Sequence, residues 1–253
     1  MLADLPLQAT ALLILYARVG ALLMLLPVLS EEAAPGQVRL LLGLAISLAL
    51  FGLLRPFVLA SASATDGALL TVLVSELLTG LAIGLVIRMM FQAAAMTGAL
   101  ISLQVGLTTV FTFDGHMGQV PLLAKLMALA AALVCFASGV HHHWIAALVQ
   151  SYGLFPVGGF LAAGDWLTLA VSTATQALAL SVSLAAPFIL YAVIFNLALG
   201  FGARLAPTLQ LFFVAQPLNL LLGFALFALT IGGILTVFTE RFAGWLQASP
   251  LHG

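Results

Sequence analysis

The sequence predicts an all-α fold: a polytopic membrane protein of about six long, kinked hydrophobic helices in a single hydrophobic domain, 1–253. Hydrophobic residues make up 64% of the chain and charged residues only 6%, and the mean hydropathy is +1.25. Soluble domains carry roughly 25% charged residues, and so few charges cannot cover a surface exposed to water. The length suits about five to seven membrane segments of roughly 20 residues each. The net charge of −1 gives no reason to expect nucleic acid as a partner.

The first half of the chain predicts three helical segments, at about Leu7–Leu29, Val38–Leu54 and Ala68–Val105. Proline disfavours helix in the residue before it, so Arg55-Pro56 is expected to end the second segment and 57–67 to form a loop. The third segment is too long for one simple span. The amino terminus lacks the positive charge of a signal peptide, so the first segment is expected to remain in the mature protein.

The glycines and threonines of Gly106–Pro121 predict a loop or a broken helix. Three apolar segments follow it, at about Leu122–Phe136, Trp166–Phe201 and Leu209–Phe238. Between the first two, 150–164 is expected to be a loop, and Glu240 is expected to begin a polar tail. Pro187 and Pro217 predict kinks in the last two segments, because proline removes a helix hydrogen bond.

Four charged residues lie in or near apolar segments: Arg18, Glu76, Arg88 and Lys125. A charged side chain at the bilayer centre costs roughly 2.5–3.5 kcal/mol on insertion scales. Such residues can form an ion or proton relay, or they can pair inside a helical bundle or reach the interface. We favour the second interpretation, with Glu76 the strongest candidate for a relay. Together with Arg204, these residues are the expected buried charges and assembly contacts.

Glu76 also begins the pattern Glu76-x3-Gly80-x3-Gly84. Glycines four residues apart lie on one helical face and permit close approach of a second backbone. The pattern therefore predicts helix packing at this face.

The consecutive His141, His142 and His143 invite a metal interpretation. Consecutive helical residues point about 100° apart, so the three rings cannot converge on one ion without further ligands, and no Cys, Asp or Glu stands nearby in the sequence. An interfacial position beside Trp144 is the favoured interpretation. Neither a metal nor a cofactor is expected. No enzyme motif of specific spacing is present in the sequence, so no catalytic residue is predicted.

Several stretches, taken in order, resemble the FliR family of the flagellar type III export gate. They are Arg18-x-Gly20, Pro27, Pro35, Arg39, Glu76-x3-Gly80-x3-Gly84, Gln104-x-Gly106, Phe111-Thr112-Phe113-Asp114, Pro121, Gly139-x-His141, Ser151-x3-Phe155-Pro156-x-Gly158, Asn196-x3-Gly200-x3-Arg204-x2-Pro207, Phe212 and Pro217. The order and spacing of these blocks over nearly the whole chain carry the resemblance, and the block from Asn196 to Pro217 is the most telling. The triple histidine and Glu31-Glu32 depart from the family pattern without touching these blocks.

The resemblance implies a subunit of a helical protein export gate in the bacterial inner membrane, within the flagellar basal body. FliP-like and FliQ-like subunits are the implied partners, along with a FlhB-like subunit, a FlhA-like export apparatus and the unfolded proteins that are exported. The front part, about 1–160, is expected to be FliP-like and the rear part, about 161–253, FliQ-like. The expected helix-packing positions are Gly80, Gly84, Asn196, Gly200 and Pro207.

The resemblance also implies that Gly106–Gln119 is a loop that plugs the export pore. Its expected functional residues are Gly106, Phe111, Phe113, Asp114, Gly115 and Met117. Phe111 and Phe113 supply bulky apolar side chains suited to a constriction that blocks water and ions. The alternative is an ordinary exposed connecting loop.

Two other functions remain as alternatives. Virulence-type (injectisome) export gates share this architecture with the flagellar ones. A small-molecule secondary transporter is suggested by Pro187 and Pro217, because discontinuous helices are typical of transporters. No inverted sequence repeat supports the transporter.

Overall fold

The structure, a computed structural model, describes residues 5–26, 35–62, 66–107, 111–114, 118–159, 163–205 and 211–248. Within these ranges the chain forms seven α-helices and one two-stranded hairpin. The helices are α1 (Leu5–Leu25), α2 (Gly36–Ala62), α3 (Asp66–Val105), α4 (Leu122–Ala137), α5 (His141–Leu154), α6 (Ala163–Leu205) and α7 (Leu211–Ala248). The strands are β1 (Phe111–Asp114) and β2 (Gly118–Pro121). The predicted all-α fold is confirmed.

Long apolar helices dominate the described part of the chain. Five of them are long and apolar enough to cross a membrane: α1, α2, α3, α6 and α7. The shorter α4 and α5, on either side of a brief break, together make one further candidate span. The number agrees with the about six helices expected from the sequence.

The prediction that Arg55-Pro56 ends the second segment is wrong. Helix α2 continues through Pro56 to Ala62, into the region predicted as a loop. Leu54 and Val58 are fully buried and Ala62 nearly so, and residues four apart share one helical face. Burial of this face offsets the hydrogen bond that the proline removes.

Two further predicted ends are too early. Helix α5 continues to Leu154, beyond the predicted start of the loop at 150. Helix α7 continues through Glu240, the predicted start of a polar tail, to Ala248. Phe238, Phe242 and Leu246, four residues apart, are all fully buried, and this apolar face keeps the chain helical past Glu240.

The helices that contain Pro187 and Pro217 are continuous on both sides of each proline. Between α3 and α4, the sequence predicted a loop or a broken helix, and the backbone there pairs instead as an antiparallel hairpin. Phe111 pairs with Pro121, and Phe113 pairs with Gln119.

The chain divides into two compact units. Unit 1 comprises Met1–Met90, Gly139–Ala174 and Ala243–Gly253, and unit 2 comprises Phe91–Ser138 and Thr175–Phe242. In unit 1, α1 contributes a fully buried face that includes Ile14 and Leu15.

Unit 2 contains an aromatic cluster. Phe238 and Phe242 stack with their ring centroids 5.7 Å apart. Phe91 meets each of them edge to face at 5.6 Å. Such aromatic pairs stabilise a core by roughly 0.5–1.5 kcal/mol beyond the area that they bury.

Candidate functional site

A buried ion pair joins α1 to α3 within unit 1. The Nε of Arg18 lies 2.7 Å from Oε2 of Glu76, and both side chains are 0% exposed. Nη2 of Arg18 donates a hydrogen bond of 2.8 Å to Oε1 of Glu76. The contact between Nε and Oε2 is close but lacks hydrogen-bond geometry, so the pair is held by one charge-assisted hydrogen bond and by the attraction of the two charges.

The remaining donors of Arg18 reach the carboxyl-terminal end of α5. Nη1 donates to the carbonyl of Ser151 at 3.2 Å and to its hydroxyl at 3.3 Å, and Nη2 donates to the carbonyl of Phe155 at 3.0 Å. The carbonyl of Ser151 also accepts from the N–H of Phe155 at 2.8 Å, so the guanidinium is its second donor. The carbonyl of Phe155 lies just past the last turn of α5, where a helix has no donors of its own, and the guanidinium supplies one. The guanidinium also stacks over the ring of Tyr152, with its carbon 4.1 Å from the ring centroid.

Glu76 holds the turn that follows α5. The backbone N–H of Gly158 donates to Oε1 of Glu76 at 3.2 Å, and Gly158 has a positive φ of 78°. One carboxylate therefore binds both a cation and a backbone amide. A pair held by these contacts within its own chain favours a structural role over an ion or proton relay.

Gly80 and Gly84 bring the backbone of α3 close to that of α1. A Cβ added at Gly80 would collide with the carbonyl oxygen of Arg18, and one added at Gly84 would lie 3.0 Å from that of Leu22. The predicted glycine face therefore lies directly beside the ion pair, and the close approach brings Arg18 within reach of Glu76.

The other predicted charge and packing residues make none of the contacts described above. Arg88 is half-buried on α3, whereas Lys125 on α4 is exposed. Arg204 is exposed in the last turn of α6, where a cation interacts favourably with the helix dipole. Among the described residues, a Cβ at Gly200 would meet no atom within 4 Å. Pro207 lies outside the described residues.

The loop predicted as a pore plug begins at a well-defined helix cap. Gly106 has a φ of +86° directly after α3, and the N–H of Leu107 donates to the carbonyl of Ser102 at 2.9 Å. This is the Schellman arrangement, in which a residue with positive φ ends the helix and the next amide folds back onto it. The requirement for positive φ explains the glycine at 106.

Beyond this cap, the hairpin backbone gives the loop regular structure. Phe111, Phe113 and Asp114 lie in β1. Gly115 and Met117 lie outside the described residues. A hairpin pairs its own backbone groups, which matters wherever water is excluded.

Helix α7 contributes a polar cluster at the cap that the sequence interpretation missed. Nδ2 of Asn219 donates to the carbonyl of Val105 at 3.1 Å, and the hydroxyl of Tyr191 on α6 donates to Oδ1 of Asn219 at 2.8 Å. Asn219 is only 9% exposed. A buried amide in a membrane helix is itself a functional signal, and this signal could have been read from the sequence.

The three histidines lie in the first turn of α5. Nδ1 of His142 lies 3.0 Å from the carbonyl of Gly139, and Nε2 of His143 lies 3.0 Å from Nε2 of Gln247. Within the described ranges, no group of three His, Cys, Asp or Glu side chains is placed to hold a metal ion.

Five long apolar helices, a bent pair that makes one more candidate span, and a hairpin between α3 and α4 are the features of a polytopic membrane protein. The chain belongs to family 1 of the bacterial export proteins, whose family model matches residues 9–245.

Relatives in several bacteria carry the name flagellar biosynthetic protein FliR. The chain is 36% identical to the one from Caulobacter vibrioides, over 90% of this chain and 91% of the relative. It is 32% identical to the one from Escherichia coli, over 83% and 80% of the two chains. It is 28% identical to the one from Aquifex aeolicus, over 93% and 91%. The resemblance to the FliR family is confirmed.

Proposed function

We propose that this chain is the FliR-type subunit of a flagellar type III protein export gate. In that gate it helps to form the pore for unfolded flagellar proteins and closes the pore at rest. Its role is structural and gating, with no catalytic step. The observation that carries the proposal is the hairpin of Phe111–Asp114 and Gly118–Pro121, set on a capped helix end in a chain of an export family.

The hairpin suits a plug for a physical reason. A loop inside a membrane assembly must satisfy its own backbone groups unless protein or water surrounds it. Antiparallel pairing from Phe111–Pro121 to Asp114–Gly118 satisfies the backbone groups that face between the two strands, so fewer groups need partners from the surrounding protein or water. A hairpin can therefore move as one body between a blocking and an open position.

The proposed partners are FliP-like and FliQ-like subunits, with the front part, about 1–160, taking a FliP-like place and the rear part, about 161–253, a FliQ-like place. A FlhB-like subunit and a FlhA-like export apparatus complete the proposed assembly in the inner membrane of the basal body. Large apolar side chains are exposed along α6, among them Leu190, Leu197 and Phe201, each more than half exposed. Lipid or neighbouring helices are needed to cover such a surface.

The flagellar role is favoured over the two alternatives. The relatives named above are flagellar proteins, which favours the flagellum over an injectisome. The transporter alternative depended on helices interrupted at Pro187 and Pro217, and both helices are continuous. Purification in mild detergent is a second way to distinguish a gate subunit from a transporter. A gate subunit should elute with unlike partners at one copy per complex, whereas a transporter should elute as a monomer or a symmetric oligomer.

The plug is tested by exchanging the hairpin for a flexible segment. Replacing 111–120 with a Gly/Ser linker of equal length leaves the cap at Gly106 and Leu107 in place. We expect a membrane that contains the variant gate to leak small ions at rest, measured as collapse of the membrane potential in vesicles and normalised to assembled gate. The matched control replaces 249–253 with Gly/Ser and should leave the membrane tight. An unchanged leak in the hairpin variant, with normal assembly, would show that the loop does not close the pore.

A further inference from the structure

We propose that Asn219, held by Tyr191, is the positioning residue for the plug. It fixes the end of α3 from which the plug loop departs, and thereby fixes where the hairpin stands in the closed gate. This inference rests on the plug proposed above. All of the residues that carry it belong to unit 2.

The carboxyl-terminal end of α3 needs hydrogen-bond donors. The last four carbonyls of a helix have no partner within it, and the Schellman turn serves that of Ser102. The amide of Asn219 serves two more, since Nδ2 lies 3.1 Å from the carbonyl of Val105 and 3.5 Å from that of Gln104. A side chain of another helix therefore completes the cap.

Tyr191 determines which way the amide of Asn219 points. Its single hydroxyl proton points to Oδ1 at 2.8 Å, the shorter contact, and the backbone carbonyl of Asn219 lies 3.2 Å from the same oxygen. An amide has one acceptor oxygen and one donor nitrogen. With Oδ1 engaged by the phenol, Nδ2 faces the carbonyls of α3. Helix α6 thus orients a group on α7, and that group holds α3.

Shape complementarity supports the same contact. A Cβ added at Gly106 would lie 2.6 Å from Nε2 of Gln216, and one added at Gly223 would collide with the side chain of Val105. Gln216, Asn219 and Gly223 recur at helical spacing on α7, so they share one face. That face fits the end of α3 over two turns and leaves little freedom at the base of the loop.

The contacts at the end of α3 have a consequence for opening and closing of the gate. A hairpin on an unconstrained helix end would sample many positions and would close a pore poorly. With the end of α3 fixed, three helices, α3, α6 and α7, define the point from which the loop departs. A shift of α6 or α7 that separates Tyr191 from Asn219 would release the base and let the plug leave the pore.

The experiment uses the assembled gate with two variants. Asn219→Leu keeps the branching at Cγ and removes the amide, and Tyr191→Phe removes only the hydroxyl. Amide hydrogen exchange at Leu107 reports the cap directly. Loss of a cap hydrogen bond should speed this exchange about tenfold in Asn219→Leu, with a smaller increase in Tyr191→Phe. The resting ion leak per assembled gate should rise in the same order.

The controls remove polar groups that lie elsewhere. Thr236→Val removes a hydroxyl on α7 that bonds only to the carbonyl of Gly232 in its own helix, at 3.0 Å. Tyr16→Phe removes a phenol that makes one long bond, of 3.5 Å, to the carbonyl of Leu40. Neither control should change the exchange at Leu107 or the leak.

The outcomes separate this inference from the plug itself. Unchanged exchange at Leu107 in both variants would overturn the inference. Faster exchange with a tight membrane, while the hairpin replacement leaks, would also overturn it and leave the plug standing. A hairpin replacement that stays tight would overturn the plug, and the positioning role with it. If Asn219→Leu fails to assemble, Tyr191→Phe provides the same readings.

Discussion

Replacing Glu76 with glutamine tests whether the buried pair with Arg18 is structural. The amide keeps one oxygen for Nη2 of Arg18 and for the N–H of Gly158, which lie 2.8 and 3.2 Å from Oε1 of Glu76. It places an N–H₂ group opposite Nε of Arg18, which now lies 2.7 Å from a carboxylate oxygen. The substitution removes the charge that balances a guanidinium with no exposed surface.

The expected cost follows from that burial. Removing one partner of a buried pair destabilises a protein by about 3–5 kcal/mol, because the remaining charge is uncompensated. The guanidinium keeps its bonds to the carbonyls of Ser151 and Phe155, so the lower half of this range is expected for Glu76→Gln. Arg18→Met also removes the guanidinium donor from both carbonyls, of which only that of Ser151 keeps another described donor, the N–H of Phe155, and it should reach the upper half.

The double variant Arg18→Met/Glu76→Leu separates the pair from the rest of the site. It buries no charge, and replacing a buried ion pair with apolar side chains is often close to neutral. The carbonyl of Ser151 keeps the N–H of Phe155 as its partner. The carbonyl of the buried Phe155 loses its guanidinium donor, at about 1–3 kcal/mol, and the N–H of the exposed Gly158 loses its acceptor, at about 0.5–1.5 kcal/mol. The double variant should therefore be less destabilised than Arg18→Met alone.

The measurement is the free energy of unfolding of the chain in mixed micelles, followed by the fluorescence of Trp144, Trp166 and Trp245. Thr71→Val provides the control, because it removes an exposed hydroxyl on the same helix and should change the value by less than about 0.5 kcal/mol. A Glu76→Gln variant that is as stable as the parent would refute the reasoning. Normal stability and assembly with lost protein export would point instead to a relay.

Two further predictions concern helix packing and proline. Gly80→Ala should lower the free energy of unfolding by about 1–3 kcal/mol, because the added methyl collides with the carbonyl of Arg18. The control is Gly200→Ala, whose methyl meets no described atom within 4 Å and which therefore measures the helix propensity alone. Equal changes in the two variants would contradict the close approach at Gly80. Pro56→Ala should raise the free energy of unfolding by about 1–3 kcal/mol, because it restores a hydrogen bond within α2; a loss of stability would show that the proline is needed for the shape of the helix.

The sequence predicts the ends of α4 well. This helix lies between Pro121 and Ser138-Gly139, and its predicted and observed ends agree to within one residue. The ends of α2 and α7 were missed because Arg55-Pro56 and Glu240 were interpreted as boundaries, whereas a buried apolar face continues past each of them. In so apolar a chain the buried face, such as Leu54 with Val58, cannot be told from a face that meets lipid.

For the candidate sites too, some residues can be identified from the sequence, whereas their contacts require the fold. Arg18 and Glu76 stand out in the sequence because charge in an apolar segment is rare, but their pairing across 58 residues needs the packing of α1 against α3. Asn219 was missed although it too is polar within an apolar run. Its importance depends on the end of another helix, 114 residues earlier in the chain, and on a tyrosine that orients it.

The order of synthesis gives Arg18 a further consequence. The ribosome completes α1 long before it reaches Glu76, 58 residues later, which takes about 3–12 s at roughly 5–20 residues per second. The carbonyl of Ser151 follows only after 133 residues. During that interval the guanidinium faces the insertion machinery or water, since hydrocarbon would cost roughly 2.5–3.5 kcal/mol. We therefore expect the first helix to reach its final depth in the bilayer only after the third has been synthesised, so that one arginine sets the timing of membrane insertion.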